Sequence, residues 1–108
     1  MLQLFPERNE PWQPNLVDAK FNYYPCFWTK HEADLLFSKI LRETPWRQDP
    51  ITVFGKTYPQ PRLTSLHSIN NQPYNYSGIK MNPEPMSKTL TVILSKIKSV
   101  EKNEFTSV

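Results

Sequence analysis

The sequence has few of the residues that close disulfides, bind metals or cross membranes. It contains one cysteine, Cys26, and two histidines among its 108 residues, so it cannot form an internal disulfide. A reducing compartment is therefore expected, with Cys26 as a buried thiol. No apolar run reaches the roughly 20 residues that span a bilayer, and the first residues lack the features of a signal peptide. These absences predict a cytoplasmic protein without a membrane partner.

Acidic residues are absent from one long segment, residues 50–80. This segment contains both glycines of the chain, four aromatic residues and three cations, which are Lys56, Arg62 and Lys80. The whole chain carries a formal net charge of +3, which permits a polyanionic partner without requiring one. The three cations are candidates for phosphate contacts, although scattered surface lysines usually face only solvent.

The start of this segment predicts a β-hairpin. Residues 51–53 favour a strand, Gly55 can supply a positive φ for a tight reversal, and residues 57–58 resemble a returning strand. Phe54 would then lie at the tip, where small polar residues are usual. The ring could insert between bases as a wedge, or it could pack locally against the returning strand.

A pair of tyrosines lies near the end of the segment. Tyr74 and Tyr76 alternate, so in a strand both rings would point to the same face. Two such rings can stack a flat ligand, and Asn75 and Ser77 could add polar contacts that distinguish one base from another. Alternatively, the tyrosines could simply cover the core.

Two amphipathic helices are predicted together with short antiparallel strands, which makes the fold class α+β. Thr29 and Glu32 have the spacing of a capping box, and the helix they start should run over residues 30–43. Asn82 is the predicted cap of the second helix, with Pro83 at its first position.

The N-terminal part of the sequence predicts an arm and a strand. Residues 1–14 are punctuated by prolines and should form a surface arm, and residues 15–24 alternate as a half-buried strand would. The length suits a single domain over residues 15–108.

Four pieces of this sequence resemble, in the same order, the AlkB-type Fe(II)- and 2-oxoglutarate-dependent nucleic-acid dealkylases. The similarity covers about the second two thirds of the chain, through Val53-Phe54-Gly55, Pro61-Arg62-Leu63-Thr64, Tyr74-Asn75-Tyr76-Ser77-Gly78-Ile79 and Asn82-Pro83-Glu84-Pro85. One departure follows Arg62, where the family usually has Tyr-Gly-Asp or Tyr-Gly-Glu and this chain reads Leu66-His67-Ser68.

The resemblance implies the N-terminal part of a double-stranded β-helix (jelly-roll) dioxygenase, with residues 50–80 as a nucleotide-recognition lid. It also implies oxidative demethylation of alkylated bases in DNA or RNA. In the family the hairpin tip fills the gap left by a flipped base, and an aromatic pair lines the base pocket. The base-binding residues implied here are Val53, Phe54, Gly55, Arg62, Tyr74, Tyr76 and Ser77; the phosphate contacts of Lys56 and Lys80 are predicted from the charge of the segment alone.

The family's iron ligands, a His-x-Asp pair and a distant His, have no counterpart here. We expect His31 in the first turn of a helix and His67 in a surface loop, so neither is predicted to bind Fe(II). Residues 104–108 resemble the start of the strand that leads to the iron site in the family.

The expected chain is therefore a truncated one, without catalytic residues, bound metal or bound 2-oxoglutarate, and it should be marginally stable, self-associating or partly disordered. Two alternatives remain open at this point. The chain could be a non-enzymatic module for single-stranded nucleic acid or protein, or an isolated fragment without a function.

Overall fold

The computed structural model describes residues 10–108, which contain two helices and six short strands. The elements are α1 (Lys30–Glu43), β1 (Pro50–Val53), β2 (Lys56–Pro59), β3 (His67–Ser68), β4 (Tyr74–Tyr76), β5 (Ile79–Met81), β6 (Glu84–Pro85) and α2 (Lys88–Val100). The predicted α+β class is confirmed. The jelly-roll assignment stays a prediction, and most of the predicted arm over residues 1–14 lies outside the described residues.

The described residues divide into two compact units, with the division after Leu35, inside α1. In the first unit, the predicted strand over residues 15–24 is wrong. Asp18 has a φ of 53°, and the chain reverses there through a bridge between Leu16 and Ala19. A positive φ at a residue other than glycine ends the regular alternation of a strand. Residue 23 instead pairs with Trp12, with two backbone N–H···O distances of 2.7 Å.

Cys26 is exposed, so its prediction as a buried thiol is wrong. It lies in a turn with a φ of 53°, directly before two aromatic residues that contact each other. The Phe27 and Trp28 rings meet edge to face, with centroids 5.5 Å apart. The turn therefore places the small thiol at the surface.

The start of α1 confirms the predicted capping box. Thr29 Oγ1 accepts a hydrogen bond from the Glu32 N–H at 3.2 Å, and Glu32 Oε1 accepts one from the Thr29 N–H at 3.3 Å. These bonds satisfy backbone donors that a helix start leaves without partners. The predicted bounds of α1 are also confirmed.

The second unit contains two antiparallel hairpins built in the same way. Strand β1 pairs with β2 and closes at Val53 opposite Lys56; β4 pairs with β5 and closes at Tyr76 opposite Ile79. Each pair of strands is joined by two residues with positive φ, which are Phe54 (50°) and Gly55 (74°) in one turn and Ser77 (46°) and Gly78 (75°) in the other. Two consecutive positive φ values are typical of a type I′ turn, whose twist matches that of the strands.

The short strand β3 is paired on both sides. It runs parallel to β6, with His67 opposite Glu84, so the prediction of short antiparallel strands is wrong for this pair. On its other side, the His67 N–H donates to the Val108 carbonyl at 2.8 Å. The prediction of His67 in a surface loop is also wrong, because these two neighbours leave the residue 6% exposed.

Helix α2 begins later than predicted. Glu84 and Pro85 are held in β6, and a proline also disfavours helical backbone in the residue before it. The cap is Ser87, whose Oγ accepts a hydrogen bond from the Leu90 N–H at 3.1 Å. The prediction of Asn82 as the cap is therefore wrong.

Little apolar surface is fully buried. Among residues 10–108, Met81 is the buried hydrophobic residue, at 5% exposure, while the buried polar residues are Gln60, His67, Ser68 and Thr89. Thr89 Oγ1 donates to Glu43 Oε2 at 2.9 Å, which joins the end of α1 to the first turn of α2. Neither helix in this part of the chain is long and apolar enough to span a membrane.

The cap assignment can be tested by three substitutions. We predict that Ser87→Ala lowers the free energy of unfolding by about 1 kcal/mol, because the Leu90 N–H loses its partner. Asn82→Ala and the exposed Ser95→Ala serve as matched controls and should each change it by less than about 0.5 kcal/mol. Urea unfolding followed by circular dichroism measures all three. A larger effect for Asn82→Ala than for Ser87→Ala would contradict the observed start of α2.

Candidate nucleic-acid interface

Phe54 projects from the tip of the first hairpin. Its side chain is fully exposed, at 101% of its reference area, so the ring does not pack against the returning strand. The strands that carry it are joined by the backbone pairing and by a 3.0 Å hydrogen bond between the hydroxyls of Thr52 and Thr57. The short, twisted hairpin thus exposes an apolar ring to solvent at its tip. Its use as a wedge stays a prediction.

The two tyrosines of β4 lie side by side, as their alternation predicts. The Tyr74 and Tyr76 ring centroids are 5.9 Å apart with an interplanar angle of 32°. Tyr74 is 58% exposed, so much of its ring faces solvent. Asn75 stands between the two tyrosines in β4 and pairs with Lys80 of β5. Because side chains alternate along a strand, Asn75 lies on the opposite face of the hairpin from the two rings. The contribution of Asn75 to specificity stays a prediction.

Arg62 and Tyr76 are joined through the side chain of Gln60. Gln60 Oε1 accepts a hydrogen bond from the Tyr76 hydroxyl at 3.0 Å and one from Arg62 Nε at 3.3 Å. The Arg62 guanidinium carbon lies 5.7 Å from the Tyr76 ring centroid, within the range of a cation–π contact. Gln60 itself is only 3% exposed. A buried amide therefore sets the relative position of a cation and an aromatic ring.

These side chains border an open pocket of about 300 Å³, which we call the tyrosine pocket. Its walls are formed by Arg62, Thr64, Ser65, Leu66, Tyr74, Tyr76 and Met81. The structure thus brings together three of the predicted base-binding residues, Arg62, Tyr74 and Tyr76. The other predicted site residues do not line the pocket. They occupy the hairpin tips (Val53, Phe54, Gly55, Lys56 and Ser77) or the β5 strand (Lys80).

Sequence reasoning missed several residues of this site. Gln60 stands between Pro59 and Pro61. An amide residue flanked by two prolines is the feature of the sequence that could have identified it. Thr64 and Ser65 join the pocket because the loop turns back, where Arg47 and Thr64 exchange two backbone hydrogen bonds of 2.8 Å. Such a pairing across seventeen residues leaves no local pattern.

Comparison with known proteins identifies relatives of one kind. The mouse protein alpha-ketoglutarate-dependent dioxygenase alkB homolog 3 is 35% identical over 86 residues, which is 79% of this chain. The bovine and human proteins of the same name are 41% and 39% identical over 61 and 62 residues, or 56% and 57% of this chain. No family model matches the chain.

This chain belongs to the AlkB-type family. The matched residues amount to 29% of the mouse protein and 21% of the bovine and human proteins, so the chain spans less than a third of these relatives. This coverage is too small to assign the activity of the whole AlkB-type protein to this chain.

Side chains that could bind a metal are dispersed in the described part of this AlkB-type chain. Within residues 10–108, no three side chains of His, Cys, Asp or Glu converge on one point. Both ring nitrogens of His67 are engaged within the fold, Nε2 with Ser65 Oγ and Nδ1 with the Pro85 carbonyl, each at 3.0 Å. His31 lies in the first turn of α1, as predicted.

The Tyr76 hydroxyl has an altered acidity. Hydrogen bonding with the Gln60 amide is the largest cause and lowers the pKa of Tyr76, and the neighbouring Arg62 guanidinium lowers it further. The positive charge of Arg62 favours the phenolate, whereas burial opposes ionisation. The phenol should therefore ionise at a lower pH than an ordinary tyrosine.

A titration tests this arrangement. We predict that the spectrophotometric titration at alkaline pH includes one phenol below the ordinary range, and that this phenol is absent in Tyr76→Phe. Arg62→Gln should raise its pKa, because the cation that favours the phenolate is removed. Lys56→Gln removes an equal charge from the first hairpin and is the control. An equal rise in both charge variants would show that net charge, and not the local contact, is responsible.

Proposed function

We propose that this chain provides the substrate-recognition part of an Fe(II)- and 2-oxoglutarate-dependent dioxygenase that oxidatively demethylates bases in DNA or RNA. The family and the names of the relatives support the enzyme class. The observation that carries the proposal for this chain is the tyrosine pocket, where Tyr74, Tyr76 and Arg62 meet. The cytoplasmic location expected from the sequence is part of the same proposal.

The tyrosine pocket suits a single flat, polar-edged ring system. Its volume of about 300 Å³ is at the small end of ligand sites in proteins. Stacking a base on an aromatic side chain contributes about 1–3 kcal/mol and works for every base. Discrimination must then come from polar groups, and two hydroxyl-bearing residues, Thr64 and Ser65, form part of the pocket wall.

The first hairpin supplies a second element of recognition. Extracting a base from a duplex costs on the order of a few kcal/mol, because stacking and pairing are lost. An apolar ring inserted into the gap offsets part of that cost. Phe54 is exposed and is carried by a two-residue turn, so it is available for this role without any rearrangement of the strands.

Phosphate contacts complete the proposed interface. Arg62 uses Nε on Gln60, which leaves its two terminal nitrogens able to face a phosphate. Lys56 and Lys80 lie exposed on the two hairpins, one on each. Fe(II) and 2-oxoglutarate are proposed as cofactors of the intact protein.

The wedge role of Phe54 predicts a dependence on strandedness. In the intact protein, Phe54→Ala should reduce demethylation of a methylated base in duplex DNA about tenfold or more and affect single-stranded DNA much less, since only a duplex leaves a gap. Phe37→Ala, which removes another exposed phenylalanine from α1, is the control and should change neither rate. Equal losses on both substrates in Phe54→Ala would contradict the wedge.

The phosphate role of Arg62 predicts a change in salt dependence. Arg62→Gln should weaken binding to all oligonucleotide sequences alike and reduce the slope of log K against log salt by about one unit. Lys98→Gln, on α2, removes the same charge away from the site and is the control. Anisotropy titrations at several salt concentrations measure both. An unchanged slope in Arg62→Gln would place this arginine on an ordinary solvated face.

A further inference from the structure

We propose that Gln60 is a positioning residue, which holds the Tyr76 ring and the Arg62 guanidinium in the arrangement that receives a base. The inference deepens the proposed function and rests on it. Gln60 does not line the tyrosine pocket and acts through the two residues that do.

Gln60 is fixed at both its backbone and its side chain. Its N–H donates to the Asp49 carbonyl at 3.1 Å, and its carbonyl accepts from Gln48 Nε2 at 2.7 Å. Prolines on either side restrict the backbone further. The side chain is 97% buried, since its exposure is 3%. Its Oε1 is thus held at a defined point beside the pocket.

A single acceptor at this point restrains two mobile groups. Tyr76 is held by its hydroxyl, at the end of the ring that lies farthest from the backbone. Arg62 is held by Nε, which places its guanidinium over the Tyr76 ring. An arginine that must be immobilised only when a ligand binds loses rotamer freedom at that moment and weakens binding. Because Gln60 already restrains Arg62 in the free chain, less rotamer freedom is lost when a ligand binds.

The chemistry of Gln60 argues against a role in stability alone. Its Nε2 is buried without a hydrogen-bond partner. A buried donor left unpaired is unfavourable, so an apolar residue of similar length would suit a purely structural position better. The amide is useful here because its oxygen accepts two hydrogen bonds, both from residues of the pocket.

Three substitutions separate positioning from packing. Gln60→Met keeps the length and removes the acceptor, whereas Gln60→Glu keeps an acceptor oxygen for both partners. Gln72→Met alters an exposed glutamine in the same unit and is the matched control. The first readout needs no ligand and is the set of nuclear Overhauser contacts between the Arg62 side chain and the Tyr76 ring in the full chain. The second is the affinity for a short single-stranded oligonucleotide with one methylated adenine.

We expect Gln60→Met to lose the Arg62–Tyr76 contacts and to bind the oligonucleotide about tenfold more weakly, as for loss of hydrogen bonds that include a charged partner. Gln60→Glu should restore both readouts, and Gln72→Met should change neither. In a Tyr76→Phe background, Gln60→Met should have a clearly smaller effect, because one of its two partners is already lost.

Several results would overturn the inference. One is the persistence of the Arg62–Tyr76 contacts in Gln60→Met; another is an undiminished effect of Gln60→Met in the Tyr76→Phe background. If Gln60→Met does not fold, a folded Gln60→Glu that has lost the contacts would do the same. A wild-type chain with the contacts intact that does not bind the oligonucleotide would contradict the proposed function, and the positioning of Arg62 and Tyr76 by Gln60 would then be judged on the contacts alone.

Discussion

The arrangement of the tyrosine pocket depends on one buried acceptor, Oε1 of Gln60. It receives hydrogen bonds from Tyr76 and Arg62, which belong to different segments of the second unit and would otherwise be free to move independently. Because the amide is 3% exposed, water competes weakly for its oxygen and the two bonds are correspondingly more stable. The Tyr76 ring and the Arg62 cation are therefore held together by polar contacts with one buried side chain.

This reliance on local polar and turn chemistry fits the small amount of apolar burial. Met81 is the buried hydrophobic residue among residues 10–108, and the strands form three separate pairs. The two antiparallel pairs are each closed by consecutive positive φ values, at Phe54-Gly55 and Ser77-Gly78. Glycine adopts this backbone at little cost, whereas Phe54 does so less readily. A residue with an unfavourable backbone conformation at an exposed tip is easier to explain by binding than by folding.

The features that sequence reasoning predicted correctly are those set by neighbours in the chain. The capping box at Thr29, the hairpin beneath Phe54 and the shared face of the two tyrosines follow from spacings of two or three residues. The errors arise where distant segments pair. His67 is buried because β6 and the backbone of Val108 flank its strand, and that same β6 pairing delays the start of α2. Gln60 was missed because the tertiary fold determines which residues it contacts. Its partner Tyr76 lies sixteen residues away in the chain.

Taken together, the family, the exposed aromatic tip and the tyrosine pocket lead to one central claim, that this pocket holds an alkylated base. The most direct measurement is an NMR titration of the labelled chain with matched single-stranded oligonucleotides, with and without one methylated adenine. The account predicts that the largest shift changes occur at Arg62, Tyr74 and Tyr76 and are stronger with the methylated strand. Changes centred instead on the apolar side of α2, around Leu90 and Phe105, or an equal response to both strands, would contradict it.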